Sequence, residues 1–425
     1  MKLISFFLTL IFTVAAAAAQ SDSLRIKGIV LTGNKKTKDQ VIFNELRFKS
    51  GDLVTQADVD LGISNLSNTN LFVSVKHRLV KSGDEYLLYV DVDERWTTIP
   101  ILKFSSGGGV AQTTVGVYDP NIFGEFLEAG LQFEQLEDAR SGVVWFKNPR
   151  LFGGRTGIDL QYWDSKRIRI KYDQEIDDPL EVNGFLMERE RFYFGIDHEW
   201  THLFRSAIFY EHNDDTFSDD FVSNKIKQLI LLNGLPPDTK VDSVGVGLKY
   251  GRVNFKDYLI DGSQLSLTHR LYNSKTFGVN NFSQTDLGFE YFNTFARDNT
   301  FAQRLLLGAT DTNVLQYWFY LGGLDRIRGY SDNRFAGRYY WLSNTEFRFP
   351  VIKRNSYIVQ LNTFVDAASV GEEGADLDTL SGLSAGAGFR VILPRFYKFV
   401  LRFDFAEPLR KEDDMNFSFG VQQFF

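Results

Sequence analysis

Two hydrophobic periods follow one another in the first part of this chain, and a single period governs the rest. From Leu24 to Leu31 apolar and polar positions alternate as in a strand, and the run stops at the turn signal Gly33-Asn34. Val41, Ile42 and Leu46 then share a helical face, with Thr37 placed to cap that helix and Gly51-Asp52 to end it. A second helix starts at Thr55 and buries Val59, Ile63 and Leu66. Strands over Phe72–Leu79 and Tyr86–Val92 flank a Ser82-Gly83-Asp84 turn. Residues 23–95 therefore read β-α-α-β-β.

From Trp96 onward only the two-residue period remains. Leu127, Ala129, Leu131 and Phe133 alternate with Glu128, Gly130, Gln132 and Glu134. Phe347 and Phe349 flank Arg348, whose face also carries Glu346; Leu401, Phe403 and Phe405 alternate with Arg402 and Asp404. Phe417, Phe419 and Val421 alternate with Ser418 and Gly420 in a last strand placed near Met415–Phe425. One face is apolar and the other wet, with no helical layer to cover the apolar side. Lipid is the economical cover, and a sheet in hydrocarbon must close on itself. Residues 96–425 are thus expected to form an antiparallel transmembrane β-barrel, with room for about 16 strands. The first strand is placed near Ile99–Ser106, running into Gly107-Gly108-Gly109, and Asp261-Gly262 fits a short turn. The acidic stretches Tyr172–Glu190 and Asn213–Lys240 read as long extracellular connections.

Composition supports this division. The 40 Phe, 18 Tyr and 6 Trp are more rings than a soluble globule needs but suit aromatic girdles at a bilayer. A net charge of −7 counts against a nucleic-acid partner. The absence of cysteine excludes disulfides, thiolate metal sites and a lipid-anchoring cysteine. Lys2, the apolar run Leu3–Val14 and the small residues Ala15–Ala19 form a signal peptide over residues 1–20, which implies export.

The segment LGGLDRIRGYSDNRFAG, Leu321 to Gly337, sets one arginine, Arg328, among glycines between two alternating strands. Further on, Phe364 and Asp366 lie on one face of a strand. A charged loop residue and a wall carboxylate suggest a loop tucked into the barrel lumen. His198-Glu199-Trp200-Thr201-His202 spells the H-E-x-x-H of zinc proteases, which requires a helix. Its flanks read as strands, on which i and i+4 lie about 13 Å apart, so no metal site and no enzymatic activity are expected.

Several landmarks carry a resemblance. The β-α-α-β-β order with Gly33-Asn34, Lys49-Ser50-Gly51-Asp52, Asn70-Leu71-Phe72 and Val92-Asp93-Glu94 resembles a POTRA domain. Tyr118–Gly124, Lys147–Phe152, Ile327-Arg328-Gly329-Tyr330, Thr345–Pro350, Phe364-Val365-Asp366 and Gly386–Arg390, in that order, resemble the BamA/TamA superfamily of outer-membrane assembly and translocation proteins. The resemblance implies an α+β POTRA domain in the periplasm and a barrel in the outer membrane of a Gram-negative type bacterium. It also implies that Arg328, with Gly329 and Tyr330, folds into the lumen, where Arg328 pairs with Asp366 and Glu346 beside Phe364. The last strand, with Phe417, Phe419, Val421 and the terminal Phe425, would meet the first at a weak seam.

The function so implied is insertion, assembly or translocation of client proteins, without cofactor. Its partners would be outer-membrane lipids, unfolded or nascent outer-membrane or secreted proteins, and other envelope assembly components. The rivals are a two-partner-secretion transporter, which usually adds a plug helix and a second POTRA domain, and a passive barrel on the same scaffold. The few residues between the expected cleavage site and the first strand leave no room for a plug helix.

Overall fold

A computed structural model describes residues 23–107, 110–136, 139–173, 180–220, 222–276, 278–411, 413 and 417–421. The signal segment 1–20 and Phe425 lie outside the described residues. The N-terminal unit comprises β1 (Leu24–Thr32), α1 (Asp39–Leu46), β2 (Leu53–Val54), α2 (Gln56–Asn68), β3 (Phe72–Ser82) and β4 (Glu85–Glu94). Its sheet runs β2-β1-β4-β3, with β1 and β4 parallel. Ile26, Ile42, Leu46, Val59, Leu66 and Leu88 form the core.

The two helices start differently. Thr55 caps α2 through a reciprocal capping box with Asp58. Thr37 does not cap α1: the N-cap is Lys38, without a side-chain bond. Thr37 is instead buried, its backbone N–H held by Glu94 and its hydroxyl by Asn121 of the barrel. The α1 helix stops at Leu46, before Gly51-Asp52, with Arg47 in the left-handed region at φ 66°.

The second unit is a 16-stranded antiparallel sheet, rolled into a nearly closed barrel. Its strands are β5 (Ile99–Gly107), β6 (Val110–Ile122), β7 (Leu127–Leu136), β8 (Ala139–Asn148), β9 (Thr156–Tyr172), β10 (Glu181–Glu199), β11 (Phe204–Ser218) and β12 (Thr239–Lys256). Then come β13 (Leu259–Ser274), β14 (Phe282–Phe295) and β15 (Asn299–Thr310), followed by β18 (Tyr339–Lys353), β19 (Ile358–Gly371), β20 (Gly382–Ile392), β21 (Val400–Arg410) and β22 (Phe417–Val421). A small hairpin, β16 (Phe319–Leu321) with β17 (Phe335–Gly337), interrupts the series between β15 and β18.

The register explains the two-faced sequence. Glu346, Arg348, Asn362 and Asp366 face one another across β18 and β19 on the lumen side, while Phe347, Leu361 and Val365 stay exposed on the other. On that lipid side Phe389, Phe403 and Phe419 form a ladder over the last three strands, with ring centroids 4.6 and 4.9 Å apart, and Phe405 pairs with Phe417 at 5.1 Å. Val421 shares this outward face. Among the described residues no helix is long and apolar enough to cross a membrane.

The acidic stretches are less loop-like than their composition suggests. Strands β10 and β11 extend well into them, and Arg189 of β10 binds Asp215 of β11 at 2.6 and 2.8 Å. A carboxylate that meets an arginine across the ladder costs the strand little. A third helix, α3 (Asn224–Asn233), covers Ile170 and Tyr172 with Ile226, so Ile230-Leu231-Leu232 are helical. Asp261 and Gly262 are paired strand residues of β13, and the β12–β13 turn falls at Asp257-Tyr258.

Candidate functional site: an arginine loop inside the barrel

The long connection between β15 and β18 folds back into the lumen. Its base is the β16–β17 hairpin, packed through Leu321, Ile327, Tyr330 and Phe335 against Tyr340, Leu342, Ala368 and Val370 of the wall. This apolar wedge carries the polar tip to the wall. Gly329 takes φ 86°, a left-handed turn in contact with Ala406 and Ser384 that disfavours a side chain.

Arg328 is fully buried at the tip. Its Nε and one terminal nitrogen donate to the two oxygens of Asp366 at 2.7 and 2.8 Å, and its backbone N–H donates to the same carboxylate at 3.1 Å. The other terminal nitrogen donates to Glu346 at 2.5 Å. The Phe364 ring lies beneath the guanidinium, 3.5 Å from its central carbon. Gly386, on the next strand, makes room for that ring: a Cβ there would sit 2.4 Å from it. Arg328, Glu346, Phe364 and Asp366 thus meet at one place, with Gly329 beside them and the Tyr330 side chain directed elsewhere.

The wall holds more charge than the motif shows. Glu346 also accepts from Arg348 at 2.9 Å and from Arg390 at 2.8 and 2.9 Å. Asp404 lies 3.8 Å from Arg328 and 3.2 Å from Arg402, and Asn344 donates to Asp366 at 2.8 Å. Four arginines and three carboxylates, all buried, interlock across β18–β21 and the loop. Alternation places Arg390, Arg402 and Asp404 inside, but only barrel closure brings them to Arg328. Multidentate geometry of this kind offsets the desolvation of buried charge.

A second contact reaches toward the seam. The one Tyr330 O–H is shared between the carbonyl oxygens of Leu383, at 2.8 Å, and Arg410, and the oxygen accepts from the Leu383 N–H. Ser331 donates to Asp413 at 2.7 Å. The loop therefore also grips the connection that leads into β22. At the seam itself β22 lies alongside β5, yet among the described residues the ladder ends at each of them.

The H-E-x-x-H segment is not helical: His198 and Glu199 end β10, and His202 sits in the turn that follows. His198 meets Thr156 and the Trp200 ring, while Glu199 is held by Arg47 and Arg150.

Residues 121–425 match the family model described as the Omp85 superfamily domain. The chain belongs to the Omp85 superfamily. Residues 24–95 match the POTRA model, described as a surface antigen variable number repeat. This Omp85 protein is therefore an outer-membrane barrel with its POTRA domain in the periplasm. The outer membrane protein assembly factor BamA of Nitratidesulfovibrio vulgaris is 30% identical over 154 residues, 33% of this chain and 19% of that protein. The match thus spans about a fifth of that relative's length. The crystal structure of BamA from Haemophilus ducreyi lacking POTRA domains 1-3 superposes with a TM-score of 0.53 at 15% identity, covering 94% of this chain and 83% of that one. CdiB from Escherichia coli gives 0.63 at 14% identity, covering 93% and 76%.

Proposed function

We propose that this protein is an outer-membrane insertase, an assembly factor that folds client proteins into the bilayer through its barrel seam. The observation that carries the reading is the pair of strand edges at β5 and β22, adjacent but without ladder bonds among the described residues. An unpaired edge offers backbone donors and acceptors to any extended chain, whatever its side chains. The edge of β3 in the POTRA sheet offers the same to an arriving client on the periplasmic side. The client's own burial of apolar surface and backbone hydrogen bonds drives the step, with no covalent chemistry. The arginine cluster keeps the loop at a fixed place in the lumen while the seam works. Partners in this reading are outer-membrane lipids, unfolded outer-membrane or secreted proteins, and other envelope assembly components.

Depletion followed by a survey of the outer-membrane proteome tests it. Broad loss of barrel proteins is the expected outcome. Loss of one secreted protein would instead make this a dedicated secretion transporter, and an unchanged proteome would make it a passive barrel.

A further inference from the structure

The link between the POTRA domain and the barrel passes beneath the seam and is fastened on its far side. The Trp96 backbone N–H donates to the carbonyl of Arg395 at 2.7 Å, and the N–H of Tyr397 donates to the carbonyl of Trp96 at 2.9 Å. Together they make a parallel bridge between Trp96 and Phe396. Arg395 reinforces it through both oxygens of Asp93, each at 2.7 Å. Residues 395–397 belong to the periplasmic turn between β20 and β21, so the chain about to become β5 is bonded to a turn beyond β22. The same place is sealed by apolar contact. Ile99 at the foot of β5 and Tyr397 of the turn are buried in one cluster with Phe72 and Val92 of the POTRA domain, and Phe399 packs against it. Higher up, β5 and β22 run side by side without ladder bonds among the described residues.

We infer that this strap holds the periplasmic end of the seam shut, so that the seam opens as a wedge from the extracellular side. Parting the foot would expose Ile99 and Tyr397 to water and break two backbone hydrogen bonds and a two-pronged ion pair. Parting the strands above it breaks no ladder bond among the described residues. A client strand would then pair first with the outer half of β5, and the POTRA domain would stay attached to the turn throughout. The inference rests on the reading that clients use the seam.

The chain has no cysteine, so Trp96→Cys with Phe396→Cys introduces one defined pair at positions already bridged backbone to backbone. The variant, reconstituted in phospholipid vesicles, is given an unfolded outer-membrane barrel as client. Oxidation should leave its folding activity as it is in the reduced state, because a lock across a hinge does not block the wedge. Loss of activity on oxidation, regained with reductant, would overturn the inference. Hydrogen exchange of the native protein in the same vesicles gives an independent reading. Residues 96–101 should exchange at least about tenfold more slowly than 104–107, and Asp93→Ala with Arg395→Ala should narrow that gap. Equal rates in the native protein would also sink the strap. If the native protein accelerates no client's folding, the insertase reading fails, while the exchange data still decide the strap.

Discussion

Arg328 meets two carboxylates that would fare differently without it. Glu346 would keep Arg348 and Arg390, whereas Asp366 would lose its two-pronged cation and keep the hydrogen bond from Asn344. Breaking a buried pair from one side costs about 3–5 kcal/mol, because the remaining charge stays desolvated. Arg328→Ala should therefore lower the barrel's thermal stability by roughly that amount, chiefly through Asp366. Adding Asp366→Asn should recover part of the loss, and Glu346→Gln should recover none. A double-mutant cycle on thermal unfolding in detergent measures both couplings, and a larger coupling to Glu346 would contradict this account. Arg334 is no surface control for such work: it is equally buried, close to Asp413 and the Tyr172 ring.

At the scale of elements, the turn after β1 shows how one carboxylate organises a segment. Glu94 accepts from the backbone N–H groups of Lys35, Lys36 and Thr37 at 2.9, 2.8 and 2.7 Å. Partial burial pushes its pKa up, but the hydrogen bonds from Thr37 and these amides outweigh it and hold the group below the usual carboxylate value. A depressed folded-state pKa adds stability that is fully present above the unfolded value, about 4.3, and fades as the pH falls through the folded value. The melting temperatures of the native protein and Glu94→Gln should differ at pH 7 and converge as the pH falls below the usual carboxylate range. A gap that stays constant with pH would assign the effect to packing. The same turn marks where sequence reading works and where it stops. Strands such as β7, β18 and β21 were legible because a two-residue period is local, and β-α-α-β-β was legible from turns and helical spacing. Thr37 looked like a cap because its partners, Glu94 and Asn121, lie far along the chain. The outer parts of β10 and β11 looked like acidic loops because the arginine that neutralises Asp215 sits on another strand. Within the site, a contiguous motif flagged Arg328, alternation put Glu346 and Asp366 on wet faces, and the family resemblance paired them with Arg328. Arg390, Arg402 and Asp404 join them only when the sheet closes, which no local pattern records.

On the scale of the whole molecule, the POTRA domain is seated on the barrel by charge as well as by apolar contact. Arg150, in the β8–β9 turn, donates to both oxygens of Glu45 at 2.5 and 3.0 Å and lies 3.4 Å from Glu199, which also binds Arg47 at 2.5 Å. Lys36–Asp119 and Lys38–Glu125 flank this cluster, and Gly124 approaches Lys36 so closely that a Cβ would lie 1.9 Å from its carbonyl oxygen. Between the seated domain and the lumen lies a cavity of about 1000 Å³, lined by Arg47, Arg150, Lys249 and Trp145 among others. Two of the contact sets bear on the strap's role: the strap itself at Trp96 and Arg395 near the seam, and the Glu45–Arg150–Glu199 cluster at α1, beside bonds of Thr37 and Lys38 to the β6–β7 turn and of Ser64 and Asn68 to β12. The second set holds no residue of the strap. Arg150→Ala leaves Glu45, which is only 2% exposed, without the cation that neutralises it, a loss on the order of 3–5 kcal/mol. The expected result is an α1 edge that loosens from the barrel while the strap stays intact. Protease should then reach α1 and the β8–β9 turn faster, while residues 93–99 stay as protected as in the native protein. Faster cleavage at 93–99 as well would mean that the two sets release together, and that the domain docks as a single unit.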